Sequence, residues 1–438
     1  MANIGRLQVQ CFKGDSFIPV DNCKITVTSS ENEENKIEPK VLSTDSSGLS
    51  MEIDLDSQPF EYSQNPIDRL PYKLYDVTVQ RSGFEDFLVR GVQVFPERVA
   101  LQQVNLVERK NTARIEEIII ILPNTLIGNY PSKIPENPDK PLPLPSSGVV
   151  LPMPVVPEYV VVHQGSPNDN TAPNYRVNYK EYIKNVASCE IYSTWPETTI
   201  RANIYCIISF TLNRIYTEWY KGKGKNFDIT SSTAYDHAFN YGRNIYDNIS
   251  RVVDEIFSTY VKRFGRKQPL LTQYCDGKNV TCPEWLSQWG SKYLGDQGKV
   301  PYEILTHYYG DDIELNTADV VKGSPSSYPG YELTIGSSGS EVKMIQEFLN
   351  RIAQNYPLIP KVAVDGIFGE ATAEAVRVFQ DIFKLPKTGT VDYATWYQIS
   401  NIYVGVTRIA ELRSNNIFYP PSMERRIDNS PYFTYPNN

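Results

Sequence analysis

The chain has 438 residues, with 43 Lys and Arg against 51 Asp and Glu and a net charge of −8. An acidic balance offers no footprint for a phosphate backbone, so no nucleic-acid partner is expected. The longest apolar run, Ile118 to Leu122, falls far short of the roughly 20 residues of a membrane span, so no membrane partner is expected either.

Several domains are expected at this length. Residues 1–108 alternate apolar and polar positions over short runs (Leu7, Val9; Cys23, Ile25, Val27; Tyr75, Val77, Val79; Val92, Val94; Val104, Leu106), separated by turns such as Lys13-Gly14-Asp15 and Ser47-Gly48. Period two with such turns predicts a small antiparallel β-sandwich. The order of its segments resembles prealbumin-like or carboxypeptidase-regulatory-like modules. It offers no carboxylate pair or nucleophile, which favours a folding, packing or docking role. No apolar segment of a secretory leader occurs in Met1–Gln10.

Residues 109–157 read as a connector. Arg114–Ile127 suits a strand or short helix docked on a neighbour. From Pro131 to Pro157 the run PSKIPENPDKPLPLPSSGVVLPMPVVP lacks many backbone donors and is held extended by proline, the kind of exposed link that proteases cut.

Residues 158–325 read as an α+β domain. A first helix starts at Asn178, with Glu181 placed for a capping box. A second starts at Pro196 and carries Ile200, Ile204, Ile207, Ile208, Leu212 and Ile215 on a helical stripe. A third spans Ile245 to Tyr260 and stops at Lys262-Arg263-Phe264-Gly265. The runs YVVVH and FDIT are strands. Residues 331–401 read as a small three-helix domain, and the Tyr-, Pro- and Asn-rich tail, residues 402–438, as a packing strap or a removable extension.

Two stretches resemble known families. Ile335-Gly336-Ser337-Ser338-Gly339-Ser340-Glu341-Val342, Val364-Asp365-Gly366-Ile367-Phe368-Gly369, Ala375-Val376-Arg377-Val378-Phe379-Gln380 and Thr388-Gly389-Thr390-Val391 resemble the peptidoglycan-binding type 1 domain, which implies a wall ligand. Glu181 to Glu190 followed by Trp195-Pro196-Glu197, then Leu286-Ser287-Gln288-Trp289-Gly290-Ser291, and Tyr302 to Tyr309 resemble the stage II sporulation protein D family of lytic transglycosylases. The order of the parts is similar to that of the clostridial spore cortex-lytic enzymes. That resemblance implies a zymogen of the spore cortex and coat region, with cortex peptidoglycan as substrate and a subtilisin-like germination protease as activator.

The resemblance places the catalytic acid/base on Glu190. A lytic transglycosylase needs one carboxyl group, because the sugar's own C6 hydroxyl is the nucleophile, whereas most glycoside hydrolases need two. Ile183, Ala187 and Glu190 at i, i+4 and i+7 put that carboxyl on or at the end of an apolar helix face, where its pKa should rise. Gln288 and Trp289 are candidates to hold or stack on a sugar, and Tyr308 and Tyr309 to support the carboxyl or the developing positive charge; packing competes for Trp289 and both tyrosines.

His237 and Phe239 depart from the family pattern, a Gln followed two positions later by Tyr. Some relatives bind zinc through a His and two Cys; Cys275 and Cys282 lie in the corresponding loop without a neighbouring His, which leaves zinc ligands, a disulfide and free thiols open. Catalysis by one glutamate requires neither metal nor cofactor, and none is expected. Two other functions remain: an amidase on the peptide stem, disfavoured by only 3 scattered His, and a non-catalytic spore-wall protein.

Overall fold

A computed structural model describes residues 3–14, 18–30, 36–109, 116–137, 154–280 and 282–320; it also describes 329 to 406 except 330, 384, 393–394, 397, 401 and 404–405. The tail beyond 406 and connector residues 138–153 lie outside the described residues.

The N-terminal region is β-rich. Strands β1 (Ile4–Lys13), β2 (Ile18–Pro19), β3 (Lys24–Ser29), β4 (Lys40–Ser43), β5 (Ile53–Asp56), β6 (Lys73–Gln80), β7 (Asp86–Val94), β8 (Val99–Asn105) and β9 (Glu116–Ile120) form two sheets. Leu7, Val9, Ile25, Val27, Val77, Val79 and Val89 are fully buried, as period-two alternation requires. The pairing is not wholly antiparallel: β1 lies parallel to β8 and β7 parallel to β9. Reading turns as hairpins misses this, because both parallel partners are joined by long chain excursions.

The expected connector is partly structured. β9 completes one sheet, and the chain then runs on from Ile121 to Asn137 as an ordered strap. The middle α/β region contains β10 (Val155–Val156), β11 (Tyr159–His163), β12 (Asn174–Asn178), α1 (Tyr179–Glu190), α2 (Glu197–Tyr216), β13 (Ile229–Thr230), β14 (Ile245–Tyr246) and α3 (Asp247–Ile256). It continues with β15 (Thr259–Arg263), β16 (Tyr274–Cys275), β17 (Leu286–Ser287), α4 (Gln288–Asp296), α5 (Pro301–Tyr309), β18 (Ile313–Thr317) and β19 (Asp319–Val320).

Helix α2 is about 30 Å long and buries Ile200, Ile204, Ile207, Ile208, Phe210 and Leu212, so it forms the spine. The expected third helix divides instead into β14, α3 and β15. Thr259, Tyr260 and Val261 pair antiparallel with β18, and β-branched and aromatic residues favour that outcome over another helical turn.

The N-terminal and middle regions share one hydrophobic core. β14 adds antiparallel to the edge of β8, Ile245 opposite Leu101 and Tyr246 opposite Ala100. Just before it, Asn244 exchanges hydrogen bonds with the Gln93 backbone and Arg243 donates to Gln93 Oε1 at 2.9 Å. Gly242 has φ +75°, and a Cβ there would come within 2.2 Å of Ile119 Cδ1, so any other residue at this junction is strained and must displace the Ile119 side chain.

The C-terminal region has its own core, built on α6 (Ser340–Ala353), α7 (Glu370–Ile382) and helical residues between 395 and 406. Two buried glutamines organise it. Gln346 accepts from Gly366 N and donates to Asp365 and to the Ile367 carbonyl; Gln380 accepts from Gly389 N and donates to the Thr390 carbonyl. Each helix thus pins the glycine turn that follows it.

Candidate active site

Asn178 caps α1 by accepting from Lys180 N at 3.1 Å. The capping box is only half formed, because Glu181 reaches Lys184 at 3.4 Å instead. From that cap the helix runs to Glu190, its last residue, and Ile191 leaves in extended conformation. The Glu190 side chain is therefore delivered at a helix end into the core, where it is 2% exposed.

Glu190 Oε1 accepts a hydrogen bond from Ala238 N at 2.5 Å. Its Oε2 is buried and has no hydrogen-bond partner among the described residues. Burial pushes the carboxyl up to about 7, against the Lys133 ammonium, the Tyr274 hydroxyl and the Ala238 amide, which favour the ionised form. Such a group is populated in both protonation states near neutral pH, as a residue that must give and then take a proton requires.

The Ala238 amide is held by what precedes it. Asp236 is fully buried and accepts from Arg214 Nε at 2.8 Å, Tyr220 Oη at 2.6 Å, and Thr230 N and Oγ1. Arg214 also binds Glu136 of the strap with two nitrogens, at 2.5 and 3.1 Å. Between Asp236 and Ala238, His237 pairs with the Tyr182 hydroxyl at 3.0 Å, and burial holds its imidazole well below its ordinary pKa, hence neutral.

Glu190 opens on a cavity of about 420 Å³ that Tyr274, Gln288, Asp276 and the strap from Thr125 to Lys133 also line. This volume lies in the range of sites for small ligands. Two other carboxylates border it and are engaged elsewhere: Asp276 accepts from the amides of Lys278, Asn279 and Val280, and the exposed Asp68 pairs with Lys278. Glu190 is the buried carboxylic acid of this cavity.

The expected sugar contacts divide. Gln288 lines the cavity, and its Nε2 donates to the Glu190 backbone carbonyl at 3.0 Å; it fixes the end of α1 from β17 and α4. Trp289 turns away into an aromatic core, 5.0 Å from the Trp195 ring and 5.8 Å from Tyr192. Tyr309 is buried, its hydroxyl donating to the Gln273 carbonyl at 2.8 Å. Tyr308 lies against the first turn of α4, its hydroxyl 2.2 Å from where a Cβ on Gly290 would stand. The Ser-Gln-Trp-Gly run and the Tyr-Tyr pair therefore fit each other as packing partners, and neither tyrosine nor Trp289 lines the cavity.

Sequence reasoning missed Lys133, Arg214, Asp236 and Tyr274. Arg214 had a legible signal, four residues after Phe210 on an otherwise apolar helix face. Lys133 had none, because it sits in a proline-rich run without periodicity.

Cys275 and Cys282 form a disulfide, with Cα atoms 5.7 Å apart. Among the described residues, no group of three or more His, Cys, Asp or Glu is arranged to hold a metal, and no helix is long and apolar enough to cross a membrane.

Comparison with known proteins identifies one part of the chain. Residues 338–399 match the family described as "Putative peptidoglycan binding domain"; this stretch contains all of α6 and α7. No curated protein matches the chain. Among solved structures, the minor pilin GBS52 of the Gram-positive pathogen Streptococcus agalactiae is 14% identical, over 26% of this chain and 48% of the pilin, with a TM-score of 0.16. The match thus spans about half of that pilin, and a likeness so low carries no argument. The wall-binding module makes this a cell-wall-related protein with peptidoglycan as a partner.

Proposed function

We propose that the chain is a spore cortex-lytic transglycosylase with Glu190 as its acid/base. The observation that carries this reading is a buried carboxylic acid at a cavity, its pKa pushed up to about 7 by burial, with an oxygen that no hydrogen bond fixes. In the reaction Glu190 gives its proton to the oxygen bridging muramic acid and glucosamine. The C1–O bond breaks and the glucosamine leaves with a hydroxyl. The muramic C6 oxygen then bonds to C1, and its proton returns to Glu190. No water is consumed, and no second carboxylate is needed. Gln288 fixes the helix end that carries the acid, and the Ala238 amide orients its other oxygen.

The test is mass analysis of the muropeptides released from cortex. Anhydro-muramic ends, one water lighter than hydrolysed ends, are expected; free stem peptides would show an amidase, and no soluble product a non-catalytic wall protein.

Activation by a subtilisin-like germination protease belongs to the same proposal. The cut is placed in the proline-rich run Pro131–Pro157, after Glu136, which Arg214 and Gln273 hold by hydrogen bonds. Because the N-terminal region shares its core with the middle region, we do not expect the cut to act by shedding a tethered module.

The wall-binding module has a separate core. Deleting residues 331–438 should leave cleavage of soluble fragments within about twofold and lower the fraction of protein that sediments with insoluble cortex. Unchanged sedimentation would show that the anchor lies elsewhere.

A further inference from the structure

The strap places a cation inside the site. Lys133 is half-buried; its Nζ donates to the Asp236 carbonyl and lies 4.8 Å from the ring centroids of both Phe210 and Tyr274. A lysine half removed from water in the cavity that holds a buried acid is a costly arrangement unless it has a role. The strap fixes it on both sides. Thr125 N donates to the Cys189 carbonyl at 2.9 Å and Ile134 N to the Ala234 carbonyl at 2.7 Å, while Gln273 brackets Ile134 and Glu136 at 3.0 Å each.

We propose that Lys133 is the charge partner of Glu190: a positioning residue that the strap holds beside the carboxyl, near enough to stabilise its ionised form and without an ion-pair contact that would keep it ionised. The proposal rests on the transglycosylase reading for its purpose, but not for its physical content.

Charge counting supports it. The groups that face this pair are Glu136 of the strap, Tyr182 of α1, Arg214 of α2, Asp236 and His237 of the turn, and Tyr274 of β16. Tyr182, Tyr274 and His237 are neutral, since burial raises the phenols and lowers the imidazole. The cations Lys133 and Arg214 then balance the anions Asp236 and Glu136, and Glu190 is free to be acid or carboxylate. Without Lys133 the cluster already carries one uncompensated negative charge before Glu190 ionises, which should lock Glu190 in its acid form. A locked acid can protonate the bridging oxygen but is a poor base for recovering the proton.

The test reads Glu190 directly in the full-length chain. Carboxyl carbons of glutamate are labelled with 13C, the Glu190 signal is assigned by its loss in Glu190→Gln, and its titration midpoint is followed by NMR. Lys133→Met should raise the midpoint by at least about one pH unit, a tenfold rise in proton affinity, whereas Lys133→Arg should hold it near the wild-type value. Should Lys133→Met fold poorly, Lys133→Ala with added n-propylammonium serves instead: the ammonium should return the midpoint toward wild type and n-propanol should not.

A midpoint that Lys133→Met leaves unmoved, or that propanol restores as well, overturns the proposal. A shifted midpoint in a protein that yields no anhydro-muramic product would uphold the charge coupling and reject the transglycosylase reading.

Discussion

Glu190→Gln should lower the rate of cortex-fragment cleavage by at least about a hundredfold, the scale expected on removing a general acid, with circular dichroism unchanged. The amide keeps the shape and can still accept from Ala238 N, so the fold is retained while the transferable proton is lost. Near-wild-type turnover by the folded variant would remove Glu190 from the mechanism.

The same variant reports on stability, with a sign that depends on pH. Burial raises the folded-state pKa of Glu190 from 4.5 to about 7. A carboxyl raised in this way contributes stability that is present below about pH 4.5 and is lost as pH rises through about 7. Gln carries no charge at any pH. Relative to wild type, the variant should therefore gain stability between pH 5 and pH 8, on the order of 3 kcal/mol at most. Thermal unfolding at the two pH values measures the difference; a variant relatively weaker at pH 8 would show that the fold prefers the carboxylate.

Arg214→Met should destabilise the protein by about 3–5 kcal/mol, because it leaves buried Asp236 and largely buried Glu136 without their cation. Activity should fall as well, since Asp236 anchors the turn that offers Ala238 N to Glu190. Adding Asp236→Asn and Glu136→Gln to Arg214→Met should recover part of the stability, because the orphaned charges are then gone. A loss below about 1 kcal/mol for the single variant would mean that water reaches this network and that the turn is held by its remaining hydrogen bonds.

Much of the helical framework was legible. The Asn178 cap, the Pro196 start of α2 and the apolar stripe from Ile200 follow from local chemistry, and α1 and α2 begin where those residues put them. What failed depends on partners distant in sequence. Thr259–Arg263 carries enough apolar residues to extend a helix, and only pairing with Ile313–Thr317 makes it a strand. The β1–β8 pairing is parallel because of chain routing that no turn motif announces.

The site was legible in its acid and obscure in its surroundings. Glu190 closes a helix whose other apolar residues point inward, so burial could be read from spacing. Trp289 shows the opposite limit: an aromatic beside a polar motif suits a sugar and a core equally, and its neighbours Trp195 and Tyr192 decide for the core. Lys133 and Glu136 lie in a stretch whose prolines signal exposure. They are half-buried because Arg214, 78 residues beyond Glu136, supplies the opposite charge for that carboxylate, and the Asp236 carbonyl accepts from the Lys133 ammonium.

The strand Ile245–Tyr246 has a consequence for processing. It belongs to the middle region by sequence and to the N-terminal sheet by hydrogen bonding, so the fragments on either side of residues 138–153 are laced through a common sheet. A nick in that stretch turns one polypeptide into two while leaving a single particle, migrating as two bands under denaturing conditions and as one species in native solution.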